Sequence, residues 1–200
     1  MLVMLLGFSM GLVASDKDTQ AERRAEREHQ ALERRGWNTD DNDLYEALLR
    51  SWTKQLEEDE NGVKVYVIGY GNVTAPTLDE AREKALKEAV DHFPGLMMMY
   101  FQSWNMAARM EGTLSDEEGE QVRQAVNDSE KAITKAIHAL DLQPTLYMHR
   151  ERRNAMEAHI RVLTRQMELR RIVMGIIAEE LVDTHGWDHE DAIRKLTYRK

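Results

Sequence analysis

A stripe of small residues at helical spacing, directly after a strand-like segment, constrains the fold of this chain more than any other feature. Residues 63–73 are dense in β-branched and aromatic side chains, as strands are. Ala81, Ala85 and Ala89 then recur at every fourth position, which places them on one face of a helix. Because a face of alanines lets a helix lie close across a sheet, the sequence predicts a strand with a tightly packed helix after it.

Further helices follow from apolar spacing and from capping residues. Residues 44–56 carry apolar side chains at helical spacing, and residues 115–140 do so after a capping box that begins at Ser115. A second capping box at Thr77 opens the alanine helix. We expect that helix to kink or break at Pro94, because proline lacks an amide hydrogen and crowds the preceding turn.

The last third of the chain predicts a hairpin and a closing helix. Residues 145–150 and 156–164 are two strands joined near Asn154, which tolerates the left-handed conformation of a tight turn. Apolar and polar side chains alternate along the second strand, which is typical of a half-buried hairpin. Residues 166–181 predict a helix.

These segments predict an α+β fold, in which a small antiparallel or mixed sheet of about three strands is covered by long helices on one face. N-terminal helices and a leader segment precede the sheet. The predicted organisation is a signal peptide at 1–15, a charged helical arm at 16–36, an α+β domain at 37–181 and a polar C-terminal tail at 182–200.

The first segment of the chain predicts export. Residues 1–14 are uncharged and too short to span a bilayer as a helix, which takes about 20 residues. Val13 and Ser15 are small side chains at the −3 and −1 positions of a signal-peptidase cleavage before Asp16. We therefore expect a periplasmic or secreted protein with no transmembrane span in the mature chain. The alternative is an N-terminal helix buried on every face.

Residues 16–35 follow as a densely charged segment. Their only apolar side chains are Ala21, Ala25, Ala31 and Leu32. This composition predicts a solvated helix that ends at Gly36 and has no apolar face to bury against the rest of the protein. A coiled-coil arm is the alternative, although apolar heptads are missing.

Composition excludes several classes of function. The formal net charge is −9 and the pI is about 5.3, which argues against a chain that neutralises phosphates, so we expect no nucleic-acid partner. The chain has no Cys, which excludes disulfides, thiol catalysis, Cys-ligated zinc and acylation through sulfur.

Motifs for catalysis and for cofactors are absent or incomplete. The chain has no GxSxG and no P-loop, and Gly69 and Gly71 lack the third glycine of a dinucleotide fingerprint. His185 and His189 have metal-ligand spacing but lack the glutamate of HExxH. We expect no cofactor, no metal and no enzyme activity. The alternative is a divergent periplasmic hydrolase without a recognisable motif.

Two clusters remain as candidate contact sites. A basic cluster runs through the hairpin. Its residues Arg150, Arg152, Arg153 and Arg161 are candidates for contact with an anionic surface, with Arg165, Arg170 and Arg171 close in sequence. The sequence favours the alternative, in which these arginines pair with acidic helices of the same domain. The second cluster, Met97–Met99 with Tyr100, Phe101 and Trp104, predicts core, with an exposed adhesive patch as the alternative.

The order of elements resembles a known group of envelope proteins. The strand that ends at Gly69-Tyr-Gly71, the alanine helix, the Gly36-Trp37 pair and the Arg50-Ser51-Trp52 helix end are similar to uncharacterised secreted envelope proteins of Gram-negative anaerobes. These are distantly similar to flagellar-sheath-type lipoproteins. The resemblance implies a non-catalytic envelope or secreted protein that binds a partner or surface, and it implies no catalytic residue.

Overall fold

The computed structural model describes residues 8–40 and 43–197. Its elements, in chain order, are α1 (Phe8–Glu33), α2 (Leu44–Leu56), β1 (Tyr66–Ala75), α3 (Leu78–Met110), α4 (Asp116–Asp128), α5 (Glu130–His138), β2 (Leu146–Arg152), β3 (Ala155–Arg165), α6 (Gln166–His185) and α7 (His189–Thr197). The α+β class and the three-stranded sheet are confirmed.

The chain forms two compact units. Of the described residues, the first unit contains 8–40, 43–89 and 143–164, and the second contains 90–142 and 165–197. The division falls inside α3, between Ala89 and Val90.

The sheet of the first unit is antiparallel and has the strand order β1-β3-β2. In the predicted hairpin, Leu146 pairs with Arg161 and Met148 pairs with His159. Arg153 and Asn154 form its turn with φ of 49° and 65°, the left-handed values that a two-residue hairpin needs at both positions. The hairpin prediction is therefore confirmed.

The alanine stripe of α3 packs against one face of this sheet, as predicted. Ala81, Ala85 and Ala89 are fully buried. Gly71 of β1 lies directly under the Ala85 carbonyl, where a Cβ would lie 1.7 Å from the oxygen. This close approach requires glycine in the strand and a small residue in the helix.

The opposite face is covered as well, which the sequence prediction missed. Ala21 and Ala25 of α1 are 1% and 0% exposed, so the prediction that this charged helix has no face worth burying is wrong. Two alanines four positions apart are enough to give α1 a buried face. Ala25 belongs to one hydrophobic cluster with Ala47 and Leu48 of α2 and with Met148 of β2. The helix ends as predicted before Gly36, which has a φ of +72°.

The helices of the second unit differ from the prediction at two places. Helix α3 runs through Pro94 without a break, so the predicted break is absent, while a kink at this residue stays a prediction. The predicted helix over 115–140 is interrupted at Ser129, between α4 and α5. The capping box at Ser115 is present in full.

Both ends of the described chain are helical, with α1 at the start and α7 at the finish. The predicted signal peptide lies partly outside the described residues, since 1–7 are not described, and the proposed cleavage before Asp16 falls within α1. Near the other end, Ala192 and Leu196 of α7 are buried. Of the helices in the described ranges, none combines the length and the apolar character that crossing a bilayer requires.

Candidate functional site

The basic residues predicted to contact an anionic surface do not form one exposed patch. The Arg161 side chain is only 7% exposed and pairs with Glu28 of α1. Its guanidinium lies between the rings of Trp52 and Tyr70, at 5.5 and 5.9 Å from their centroids. Arg161 therefore ties α1 and α2 to the sheet, and the surface-contact prediction is wrong for it. Pairing with an acidic helix is the alternative that holds at this position.

The other three arginines lie toward the tip of the hairpin. Arg150 donates to Glu157 at 2.6 Å and stacks over Trp37 at 4.7 Å. Arg152 is exposed, and its Nη1 lies 4.0 Å from the Glu157 carboxylate, which makes this ion pair longer than that of Arg150. Arg153 is exposed at the turn. Arg152 and Arg153 are thus the two residues of the predicted set that face solvent.

His159 lies on the same sheet face as Arg161, and its side chain is half-buried. Its ring contacts Trp37 and Tyr70 at centroid distances of 6.2 and 6.4 Å. Burial, followed by the charge of Arg161, lowers the pKa of His159, so the imidazole is held neutral. Its Nε2 has no partner among the described residues.

A catalytic site in the sheet near Gly71 and His159 would need a cleft in which titratable groups converge. Gly71 offers no cleft, because the Ala85 carbonyl fills the space beside it. Within the part of the chain that the structure describes, no three His, Asp or Glu side chains converge as a metal site requires.

The methionine-rich part of α3 divides between core and solvent. Met97 and Phe101 are buried, as the core prediction requires. Met99, Met106 and Met110 are 62%, 65% and 84% exposed. The exposed methionines recur at spacings of seven and four, so they share one helix face.

A cleft between α3 and α4 begins at this methionine face. Its volume is about 590 Å³, within the range of ligand pockets. We call it the α3–α4 cleft and define it by its lining residues, which are Gln102, Asn105, Met106, Arg109, Met110, Asp116, Arg123 and Asn127.

Asn105 is the most deeply buried polar group of the α3–α4 cleft, with 4% exposure. Its Nδ2 donates to the Gly119 carbonyl at 2.8 Å, which fixes the orientation of the side-chain amide. Its Oδ1 is buried and has no partner among the described residues. A buried acceptor without a donor costs about 1–3 kcal/mol, so a ligand that supplies a donor gains from this position.

Two further amides lie in the cleft wall. Gln102 Nε2 donates to Asn127 Oδ1 at 3.2 Å. This bond leaves the Gln102 carbonyl and the Asn127 amino group as an acceptor and a donor for a ligand.

The charged residues of the cleft are paired with neighbours. Arg109 Nη2 donates to Asp116 at 2.8 Å, and Arg123 Nε donates to Glu120 at 2.9 Å. The hydrogen bonds from Arg123 hold the pKa of Glu120 below its usual range. Gly119 of α4 makes room for the Arg109 side chain, whose Cδ would lie 2.2 Å from a Cβ there. The cleft therefore presents paired charges, free amide groups and apolar methionines.

Comparisons with known proteins give no match. No protein-family model, no curated protein and no solved structure is significantly similar to the chain. The arrangement of the side chains therefore carries the functional interpretation.

The sequence did not lead us to predict that Asn105, Met106 and Met110 line a common cleft. No motif marks them, since the cleft forms only where α3 and α4 pack. One signal was available: Met99, Met106 and Met110 lie on the helix face opposite the buried Met97 and Phe101, and large apolar residues on an outer face are typical of contact sites.

Proposed function

We propose that this protein is an exported, non-catalytic protein of the cell envelope, or a secreted one, that binds a partner protein through the α3–α4 cleft. One observation carries the binding part of this proposal. The cleft combines a buried, unpartnered acceptor, Asn105 Oδ1, with the exposed side chains of Met106 and Met110. Methionine side chains are flexible and polarisable, which suits them to contact surfaces.

Export is supported by the leader. The segment at residues 1–14 is uncharged, and the small residues Val13 and Ser15 occupy the −3 and −1 positions of a cleavage before Asp16, which is the pattern of a signal peptide. Removal of residues 1–15 leaves Asp16 as the first residue of α1, and both buried alanines of that helix remain. The resemblance to secreted envelope proteins supports the same location.

Export is tested by sequencing the N-terminus of the protein purified from cells. We expect the mature protein in the periplasm or the medium, beginning at Asp16. A cytoplasmic protein that retains Met1 would overturn this part of the proposal.

Binding is tested by site-specific photocrosslinking in living cells. Met106→p-benzoylphenylalanine places the crosslinker in the cleft, and Met99→p-benzoylphenylalanine places it on the same helix outside the cleft-lining set. We expect one discrete adduct at position 106, weak crosslinking at 99, and binding of the purified partner to wild type but not to a Met106→Glu, Met110→Glu variant. Equal, diffuse crosslinking at both positions would overturn the cleft as the binding site.

A further inference from the structure

The chemistry of the α3–α4 cleft indicates which part of a partner it binds. We propose that the cleft binds an uncharged, extended polypeptide segment, through main-chain amides at its polar groups and apolar side chains at its methionines. This inference rests on the proposed function and specifies its ligand.

The fixed amide of Asn105 sets the first requirement. Since its Nδ2 is held by the Gly119 carbonyl, a flip of the side chain would place two oxygens against each other. Asn105 Oδ1 is therefore fixed as an unpartnered acceptor, and the ligand must bring an N–H or O–H donor to it.

The free groups of Gln102 and Asn127 set the second requirement. They offer one acceptor and one donor beside the first acceptor. An extended main chain presents both N–H and C=O groups along one edge, so a single peptide segment satisfies donors and acceptors together. Phosphates and carboxylates bring acceptors only, and they leave Asn105 Oδ1 without a partner.

The charges of the cleft set the third requirement. Arg109 and Arg123 each pair with a carboxylate, Asp116 and Glu120, so a ligand charge has to compete with an existing ion pair. Apolar surface is what remains uncovered, at Met106 and Met110. In an extended segment, alternate side chains point to one face, so apolar residues at every second position meet these methionines.

The experiment measures the methionine methyl signals of the full chain by NMR during titration with capped pentapeptides. The probes are acetyl-Ser-Xaa-Ser-Xaa-Ser-amide with Xaa as Leu, Val, Phe or Met. Two comparison probes are the same peptides with the three central amides N-methylated, and hexanamide, a small molecule with one amide and one apolar tail.

We expect at least one peptide to shift the Met106 and Met110 signals while Met99 stays unchanged. N-methylation should weaken binding about tenfold, because the donor to Asn105 is lost. Hexanamide should bind at least about tenfold more weakly than the peptide, because it covers fewer of the cleft groups. N-methylation of the peptide tests the Asn105 acceptor without a mutation in the protein. A substitution of Asn105 would also remove its hydrogen bond to the Gly119 carbonyl.

Matched variants provide the second arm. Met106→Ala should weaken peptide binding about tenfold, through loss of one buried methionine contact. Met99→Ala, at similar exposure on the same helix, should leave binding unchanged.

Three results would overturn the inference: no peptide shifts Met106 and Met110, N-methylated peptides bind equally well, or hexanamide binds as tightly as the peptides. None of these results would contradict the proposed function, because the crosslinking experiment tests that function separately, with the native partner and without a chosen peptide. Failure of crosslinking at position 106 would instead remove the proposed function itself.

Discussion

Gly71 of β1 and Ala85 of α3 are in contact through their backbones. A Cβ at Gly71 would lie 1.7 Å from the Ala85 carbonyl oxygen and 3.0 Å from its Cα. Backbone atoms cannot move aside as a side chain does, so helix and strand are held at a spacing that only glycine permits.

Gly71→Ala should therefore destabilise the protein by at least about 1–3 kcal/mol, because the added methyl group overpacks the contact between β1 and α3. Gly175→Ala is the matched control. Gly175 lies inside α6 with no atom within 4 Å of its Cβ position, and alanine there should stabilise the helix by about 0.5–1 kcal/mol. Chemical denaturation measures both, and shifts of the same sign would contradict the packing described here.

The partner residue of this contact gives a second prediction. Ala85→Leu should cost about 1–3 kcal/mol through overpacking of a fully buried position. Lys84→Ala, one residue away, removes only an exposed pair with Glu80, and its effect should stay within about 0.5 kcal/mol. If denaturation midpoints of the two variants coincide, the alanine stripe is not the packed face.

The spacing of the alanines predicted the contact between α3 and β1, because small side chains on one helix face allow the two backbones to approach closely. The same reasoning placed α2 and the hairpin turn at Arg153 and Asn154. It failed for α1, where two alanines among many charges gave too little apolar signal to reveal a buried face. It also predicted a kink or a break at Pro94, and α3 has no break there.

The buried pair of Glu28 and Arg161 gives the third prediction. Glu28→Gln leaves the Arg161 charge uncompensated at 7% exposure, which should destabilise the protein by about 3 kcal/mol. Glu22→Gln, at an exposed position of the same helix, should change stability by less than about 0.5 kcal/mol. Equal urea midpoints for these two variants would show that α1 is not tied to the sheet through this pair.

The fourth prediction concerns pH. Because burial and Arg161 lower the pKa of His159 below the usual 6.5, the unfolded chain binds a proton at this residue more readily than the folded chain. Stability should therefore fall as pH decreases from about 6.5 toward the folded-state pKa. The carboxylates of Glu28, Glu157 and Glu88 act in the opposite direction but are smaller effects.

An NMR titration of the imidazole signals measures this pKa directly. His159→Asn should reduce the loss of stability between pH 7 and pH 5, whereas His92→Asn, at an exposed position, should not. A His159 pKa at or above 6.5 would contradict the buried, neutral imidazole.

The α3–α4 cleft could not be predicted in the same way as the fold. Asn105 becomes a site only because Gly119 of α4 holds its amino group and leaves its oxygen unpartnered. That relationship joins two helices and has no local sequence pattern. The methionines were visible in the sequence, but the division between buried Met97 and exposed Met99 and Met106 depends on which helix face meets the core.

Methionine oxidation tests the central claim, that the α3–α4 cleft is a binding site, most directly. In the purified protein, hydrogen peroxide should oxidise Met99, Met106 and Met110 at comparable rates, because all three are well exposed. In the cellular fraction where the protein resides, a bound partner should slow the oxidation of Met106 and Met110 several-fold and leave Met99 unchanged. Identical relative rates in both samples would contradict the account.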